Sequence, residues 1–305
     1  MYYSIRRDIP LARNPFSRRL SGSMRPLGIF LTVICVIVGI CCITMLRSRP
    51  LPGGTLEIRF LDVGQGDAAL IRTEEGCILL DTGDPAARQD VYFAVNSYGN
   101  RLEYLIISHA HADHMGGAAY ILEKMDVGTV ILPRTVSSDD AYVQLLDAVS
   151  ESGASVLFAD AGTTFSLGGA DFRILAPLKS YEEENDRSAV IRMDFGRVSA
   201  LFTGDAEAVS EADQIDTYSI FRGSYLDADI LKVPHHGSSS SSTAEYLRAV
   251  SPKFAVISCG RDNAYGHPSA DVVQQLERLG AQIFRTDRDG TVSLITDGET
   301  IRAGE

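Results

Sequence analysis

A chain of 305 residues with a 45% hydrophobic fraction holds enough apolar mass for one large or two small cored domains, which excludes a disordered chain. The 28 Lys+Arg stand against 40 Asp+Glu; the first fifty residues hold eight arginines and only Asp8, so the remainder carries 20 against 39, a balance of −19. That acidity argues against wide non-specific clamping of a polyanion, although a local basic groove or a bound metal ion could still engage phosphate.

From the amino terminus, residues 1–26 read as a basic tail. Residues 27–46 form an uncharged run of twenty, the apolar length needed for a helix to cross a bilayer. Arg6, Arg7, Arg13, Arg18, Arg19 and Arg25 precede the run and only Arg47 and Arg49 follow closely, so the positive-inside bias places the tail in the cytoplasm. A cleaved signal peptide would have a shorter apolar core and a small-x-small site after it, and a buried core helix would not need the basic flank. The expectation is a single-pass signal anchor in the cell membrane with the following domain extracellular. Residues 47–54, with Pro50, Pro52, Gly53 and Gly54, read as a linker, and one domain follows over 55–305. Cys35, Cys41 and Cys42 fall in the anchor, while Cys77 and Cys259 sit in separate apolar stretches and read as buried thiols.

The domain opens with strands expected at 55–63, 68–72 and 77–80. Between the first two stands Asp62-Val-Gly-Gln65-Gly-Asp67, which brings three polar side chains to one strand end; a hairpin turn would use the same glycines. Asp81 ends the third strand, where it could hold metal-ligand imidazoles from behind or cap a helix. A helix at 91–98 leads to an apolar strand at 105–107 and then to Ser108-His109-Ala-His111-Ala-Asp113-His114-Met-Gly116-Gly117. Three histidines and a carboxylate within six residues, on a strand-to-helix loop, form a candidate ligand cluster: imidazole suits zinc, and the carboxylate adds an oxygen donor that manganese or iron would accept. Further elements are expected as a helix to 125, a strand at 129–132, a helix at 140–150, and strands at 155–158, 171–175, 188–195 and 198–202. This strand-helix rhythm indicates an α/β layered fold.

The strand at 198–202 delivers Asp205 to its end, and the apolar run beginning at Ile230 delivers His235 and His236. Serines 238–242 then lead into a helix near Thr243, where amides and hydroxyls could bind an anion or simply form a flexible linker. A strand at 254–258 precedes Tyr265-Gly-His267-Pro268, and a helix and two strands close the chain. All six histidines fall in three motifs, which argues that they share a site.

With Asp81-Thr-Gly, His109-x-His111-x-Asp113-His114, Thr-Gly-Asp205 and Pro-His-His236-Gly in this order, the chain resembles the metallo-β-lactamase superfamily. More narrowly, Phe60-Leu-Asp-Val-Gly-Gln-Gly-Asp67, Leu231-Lys-Val-Pro-His-His-Gly-Ser238 and Tyr265-Gly-His-Pro268 resemble the hydrolase domain of the ComEC competence family. The resemblance covers about 55–300. It implies an αββα sandwich, two sheets face to face with helices outside, and one or two divalent ions, Zn or Mn, at the sheet edge. Carried over, His109 and His111 would hold one ion, Asp113 and His114 the second, and Asp205 would bridge them. His236 would complete the second site, with His235 as the alternative. The superfamily's further histidine has no counterpart between His114 and His235, and Asn185 stands about where it should be. Asp62, Gln65, Asp67, Asp81, Asn185 and Ser238 would support the ligands or meet substrate. With one apolar span in the chain, the resemblance supports the chemistry and not a transport role.

The expected activity is metal-assisted hydrolysis of a phosphodiester (DNA, a nucleotide or a wall polymer), with Asp113 orienting the attacking water and His267 serving the leaving oxygen. β-Lactam or thioester hydrolysis by the same centre is the alternative within enzymes, and a non-catalytic surface protein that binds DNA or wall polymer is the alternative outside them. No protein partner can be inferred.

Overall fold

The structure is a computed structural model that describes residues 51–218 and 225–304, together with Phe30 and Ile34. The chain divides into two compact units, Met1–Ser48 and Arg49–Glu305, and the second is described below. The expected membrane anchor at 27–46 and the tail before it lie outside the described residues apart from Phe30 and Ile34. Among the described residues no helix is long and apolar enough to cross a membrane.

The second unit is built from two sheets. Strands β1 (Leu56–Phe60), β2 (Ala69–Arg72) and β3 (Cys77–Leu80) form an antiparallel meander, after which helix α1 (Arg88–Asn96) crosses to β4 (Arg101–Ile106). Helices α2 (Ala112–Met115) and α3 (Ala118–Lys124) lead to β5 (Asp126–Leu132), and α4 (Asp140–Ser152) leads to β6 (Ser155–Phe158). β3, β4, β5 and β6 are parallel neighbours, the arrangement that helical crossovers impose. α4 has clear end signals: the Asp139 side chain accepts from Ala141 N, and Gly153 closes the helix at φ 73°.

The second sheet begins with β7 (Thr164–Leu167), β8 (Ala170–Ala176), β9 (Val190–Phe195) and β10 (Val198–Phe202), all antiparallel. After α5 (Ala208–Tyr218) come β11 (Ile230–Lys232), α6 (Ala244–Val250), β12 (Phe254–Ile257), α7 (Ala270–Arg278), β13 (Gln282–Arg285) and α8 (Thr286–Asp289), with β10 to β13 parallel. Finally β14 (Val292–Thr296) and β15 (Ile301–Ala303) return to the first sheet beside β1. The strand orders are β15-β14-β1-β2-β3-β4-β5-β6 and β13-β12-β11-β10-β9-β8-β7.

Three apolar clusters hold these layers. One lies between the sheets, with Ile58, Ile71 and Ile78 from the first and Phe172, Ile191 and Phe202 from the second. A second joins the first sheet to α1, α3 and α4 through Leu79, Leu105, Ile121 and Leu145, and a third joins the second sheet to α6 and α7 through Leu231, Tyr246 and Leu276. This is the helix-sheet-sheet-helix layering that the sequence leads one to expect. β4 and β5 start earlier than expected because Arg101, Glu103 and Asp126 put an exposed ion-pair ladder on their first residues, which masks the apolar pattern. β7 is absent from the sequence-based expectation: its four residues alternate between exposed and half-buried and carry no β-branched apolar run.

Candidate metal centre

The parallel strands of both sheets end on one edge of the sandwich, where α/β folds place their ligands. β3 delivers Asp81, β4 the histidine segment, β10 Asp205, β11 the histidine pair, and β12 the loop bearing His267. The histidine segment is not wholly loop. His111 is extended, and Ala112–Met115 then form a helical turn that carries Asp113 and His114 inward. Gly66 lies against that turn: at φ 129°, a Cβ on it would stand 2.3 Å from the Asp113 carbonyl oxygen.

Asp113, His114, Asp205 and His236 each offer a ligand atom within 4.8 Å of the others. The His114 Nδ1–H donates to Asp81 Oδ2 at 2.9 Å, which turns Nε2 toward Asp205 Oδ1 at 3.2 Å. Asp81 is fixed in turn by Ser108, whose N and Oγ each donate to it at 2.7 Å. The His236 Nδ1–H donates to the Ser258 carbonyl at 3.0 Å, and its Nε2 lies 3.3 Å from Asp113 Oδ2 and 3.4 Å from Asp205 Oδ2. His114 Nε2, His236 Nε2 and Asp205 Oδ1 are buried and have no hydrogen-bond partner. Buried polar atoms are rarely left so, and three converging on one point, two nitrogens and an oxygen, fit a divalent ion such as zinc or manganese.

The electrostatics agree. Burial pushes the Asp205 carboxyl up, but His114 and His236 outweigh it and hold the group well below its usual range. Burial likewise pushes His114 and His236 down, but Asp205 dominates, with Asp81 and Asp67 adding to it, so both rings are held well above their ordinary value without an ion. For Asp113, burial is outweighed by the His236 hydrogen bond and by His114, which keeps it ionised.

His109 and His111 are differently placed. His109 is fully buried; burial, then His114, holds its ring well below the ordinary value. Its Nε2 stands 3.0 Å from His111 Nδ1. Neither belongs to the four-residue group. Asn185 lines the same pocket of about 310 Å³ as His111 and Asp205, donates to Glu207 at 3.1 Å, and leaves Oδ1 buried without a partner.

Of the histidine pair, His236 is the one that enters the group. His235 Nδ1 stands 3.0 Å from Glu207 Oε1 and 3.2 Å from Ser240 Oγ, and its Nε2 is 3.7 Å from Asp205. Both residues have positive φ, 48° and 53°, and this turn splays two adjacent rings apart. His267 lines the pocket with Tyr265 stacked on it at 5.7 Å between centroids. Centroid separations of 4.2 to 6.3 Å link all six histidines, so the three motifs do share one place.

The supporting residues divide. Gln65 lines the pocket and accepts from Gly260 N at 3.1 Å. Asp67 is buried beside His236. Among the described residues the Asp62 side chain accepts only from Gly64 N in its own turn, and it does not line the pocket. Ser238 bonds Ser240 within the serine loop. Of the two readings of that loop, anion site or flexible linker, the structure puts an internal anion there: buried Glu211 accepts from Ser242 N at 2.5 Å and Thr243 N at 2.9 Å, so these amides are already used. Lys232 and Glu184 were not anticipated. A lone lysine inside the apolar run Ile230-Leu-Lys-Val was the available signal for the first; Glu184, which accepts from Ala110 N at 3.1 Å, gave none.

A family model described as the metallo-beta-lactamase superfamily matches residues 61–261. The chain is 30% identical over 284 residues to ComE operon protein 3 of Bacillus subtilis, covering 86% of this chain and 36% of that protein. It is 34% identical over 257 residues to Recombination protein 2 of Haemophilus influenzae, covering 82% and 30%. The chain thus spans about a third of the length of these relatives. Among solved structures it is similar in fold to the metallo-beta-lactamase fold protein YhfI from Bacillus subtilis, with a TM-score of 0.54, 10% identity, and coverage of 79% of this chain and 99% of that one.

Proposed function

The chain belongs to the metallo-beta-lactamase superfamily, and from that premise we propose that it is a metal-dependent hydrolase of phosphodiesters. The observation that carries the metal is the convergence of His114 Nε2, His236 Nε2 and Asp205 Oδ1, buried atoms that face only the other members of their own group. Asp113, His114, Asp205 and His236 would hold one ion, and His109, His111 and Asn185, with Asp205, a second and weaker one. A bound divalent ion supplies Lewis acidity and lowers the pKa of water. The choice of phosphodiester is supported by similarity to competence and recombination proteins of the ComEC type.

The protein's own groups take complementary parts. Asp113, ionised and about one-third exposed, accepts a hydrogen bond from the attacking water and aligns it. Burial, then His235, holds His267 below its ordinary value, so at neutral pH a neutral ring faces the pocket and can donate an N–H to the oxygen on which charge develops. Asp81 fixes the tautomer of His114, and the Ser258 carbonyl does the same for His236. The apolar run at 27–46, with its basic flank, supports anchoring in the cell membrane with the catalytic domain outside.

The test is hydrolysis of a chromogenic phosphodiester and of nitrocefin, with and without zinc or manganese. His114→Ala and Asp205→Ala should each abolish metal-dependent cleavage of the diester. Cleavage of nitrocefin but not of the diester would replace this reading with β-lactam hydrolysis, and full activity in both variants would reject the assignment of the centre.

A further inference from the structure

β6 closes the first sheet, with β5 on one side and no strand on the other among the described residues. A terminal strand presents a row of unpaired N–H and C=O groups, and folds guard such an edge with a charge, a proline or a cover. The other three edges of the two sheets are guarded. β15 carries Arg302, β13 carries Arg285, and β7 exposes Thr164 and Ser166 while its Phe165 and Leu167 are half-buried. β6, Ser155-Val-Leu-Phe158, has no charge, and all four of its residues are exposed.

The apolar residues of β6 face both ways. Val156 and Phe158 pair with Val130 and Leu132, which pack against the helices, and Leu157 pairs with Ile131, which packs between the sheets. The patch continues onto α4. Tyr142, Leu145 and Val149 bury one face of that helix, and Ala141, Gln144 and Ala148 line a groove shared with α3. Helical spacing therefore puts Val143 and Leu146 on the opposite flank, toward β6. Val143, Leu146, Val156, Leu157 and Phe158 are each between 41% and 46% exposed, and a contiguous apolar patch of this kind marks an interaction surface.

We propose that β6 is the edge through which this chain self-associates: two copies pair β6 with β6, antiparallel, across a two-fold axis through Leu157. Two observations favour a second copy over a foreign strand. The first is self-complementarity. An axis perpendicular to the sheet keeps helix side with helix side, so Val156 of each copy lies opposite Phe158 of the other, Leu157 meets Leu157, and Val143 and Leu146 of both copies flank the seam. The second is charge. α4 is the crossover between parallel β5 and β6 and runs opposite to them, so the axis brings its carboxyl end to the level of Arg134 of the other copy. That end is the negative pole of the helix, with Glu151 and no basic residue in its last turn. Arg134, paired with Asp160 and lying over the Phe158 ring, still has a side chain 59% exposed on this rim. The two metal centres then sit at opposite ends of the dimer.

The experiment uses the full chain in detergent. Sedimentation velocity gives the dimer dissociation constant over a concentration series, and amide hydrogen exchange of Ser155–Phe158 is followed over the same series. Exchange at β6 should slow as the dimer forms, with exchange at β15 unchanged. Leu157→Lys sets two lysines against each other on the axis; it should raise the dissociation constant at least about tenfold and remove the concentration-dependent protection. Leu157→Val should keep both, as should Leu279→Lys, which places the same charge on an exposed leucine at the end of α7. Circular dichroism matching the parent shows that each variant is folded. A chain monomeric throughout overturns the proposal, and so does a dimer whose β6 exchanges at the monomer rate or stays protected in Leu157→Lys. Protection of β6 that is independent of concentration would mean that the edge is covered within one chain, and overturns it too.

Discussion

Lys232 Nζ and Asp67 Oδ2 meet at 2.7 Å with side chains only 3% and 5% exposed, and Asp67 sets its other oxygen 3.3 Å from His236 Nδ1. Lys232 closes β11 in one sheet, and Asp67 stands two residues before β2 in the other. A buried charge left without its partner is costly, commonly about 3–5 kcal/mol. Lys232→Met should lose stability of that order by chemical denaturation, and Lys232→Met with Asp67→Leu should recover most of it. A single variant as stable as the parent would show that the pair is not coupled.

Asp81 does not line the pocket, yet it accepts from Ser108 N, Ser108 Oγ and His114 Nδ1. Asp81→Asn keeps the volume and removes the charge that orients His114. Metal affinity, read by competition with a chromogenic chelator, should drop about 10- to 100-fold, with secondary structure intact by circular dichroism.

Protons and metal compete for the same nitrogens. His114 and His236 are raised in the metal-free protein, so the stability they contribute is fully present below about 6.5, the unfolded value, and is lost as pH rises through the raised folded value. Asp81 and Glu211, both raised by burial, act in the same direction. In EDTA the melting temperature should therefore be higher at pH 7 than at pH 8.5, above the range where the lowered His109 and His267 act in the opposite sense, while the gain on adding zinc should grow over that interval. A zinc-induced gain that shrinks as pH rises would contradict the assignment of these two rings as ligands.

Gly66 leaves no room for a side chain beside the Asp113 carbonyl, to which Asp67 N donates at 3.1 Å. Gly66→Ala should cost about 1–3 kcal/mol through strain and should weaken metal binding as well, since the displaced segment carries Asp113. Differential scanning fluorimetry with and without zinc separates the two effects.

Cys259 is buried, and its thiol is pushed up to about 11 by burial and by Asp287; Cys77 is raised by burial too. Neither is paired in the structure. At pH 8 iodoacetamide should leave both unmodified in the folded chain and alkylate both in urea, as mapped by peptide mass.

Much of this was legible beforehand because the chemistry is local in sequence. Three histidines and a carboxylate within six residues declare themselves, and the apolar strands ahead of them place them at strand ends. What escaped depends on distance. Lys232 finds Asp67 across 165 positions, and the Ser258 carbonyl that aims His236 has no side-chain identity to read. The serine loop looked like an anion site because its amides are real; only the fold shows that Glu211 already occupies them. His109 and His111 lie beside the four converging residues without belonging to that group.

The candidate ligands are strung out along the chain, Asp113 and His114 first, then Asp205, then His236, and the Ser258 carbonyl that accepts from His236 comes last. During synthesis the first pair emerges 144 positions ahead of Ser258, which at ordinary elongation speeds is roughly 7–30 s. A nascent or truncated chain ending before Ser258 would present histidines without the frame that aims them. Tight capture of an ion would therefore be a sign that translation has run past β12 and that the strand ends carrying these residues have come together.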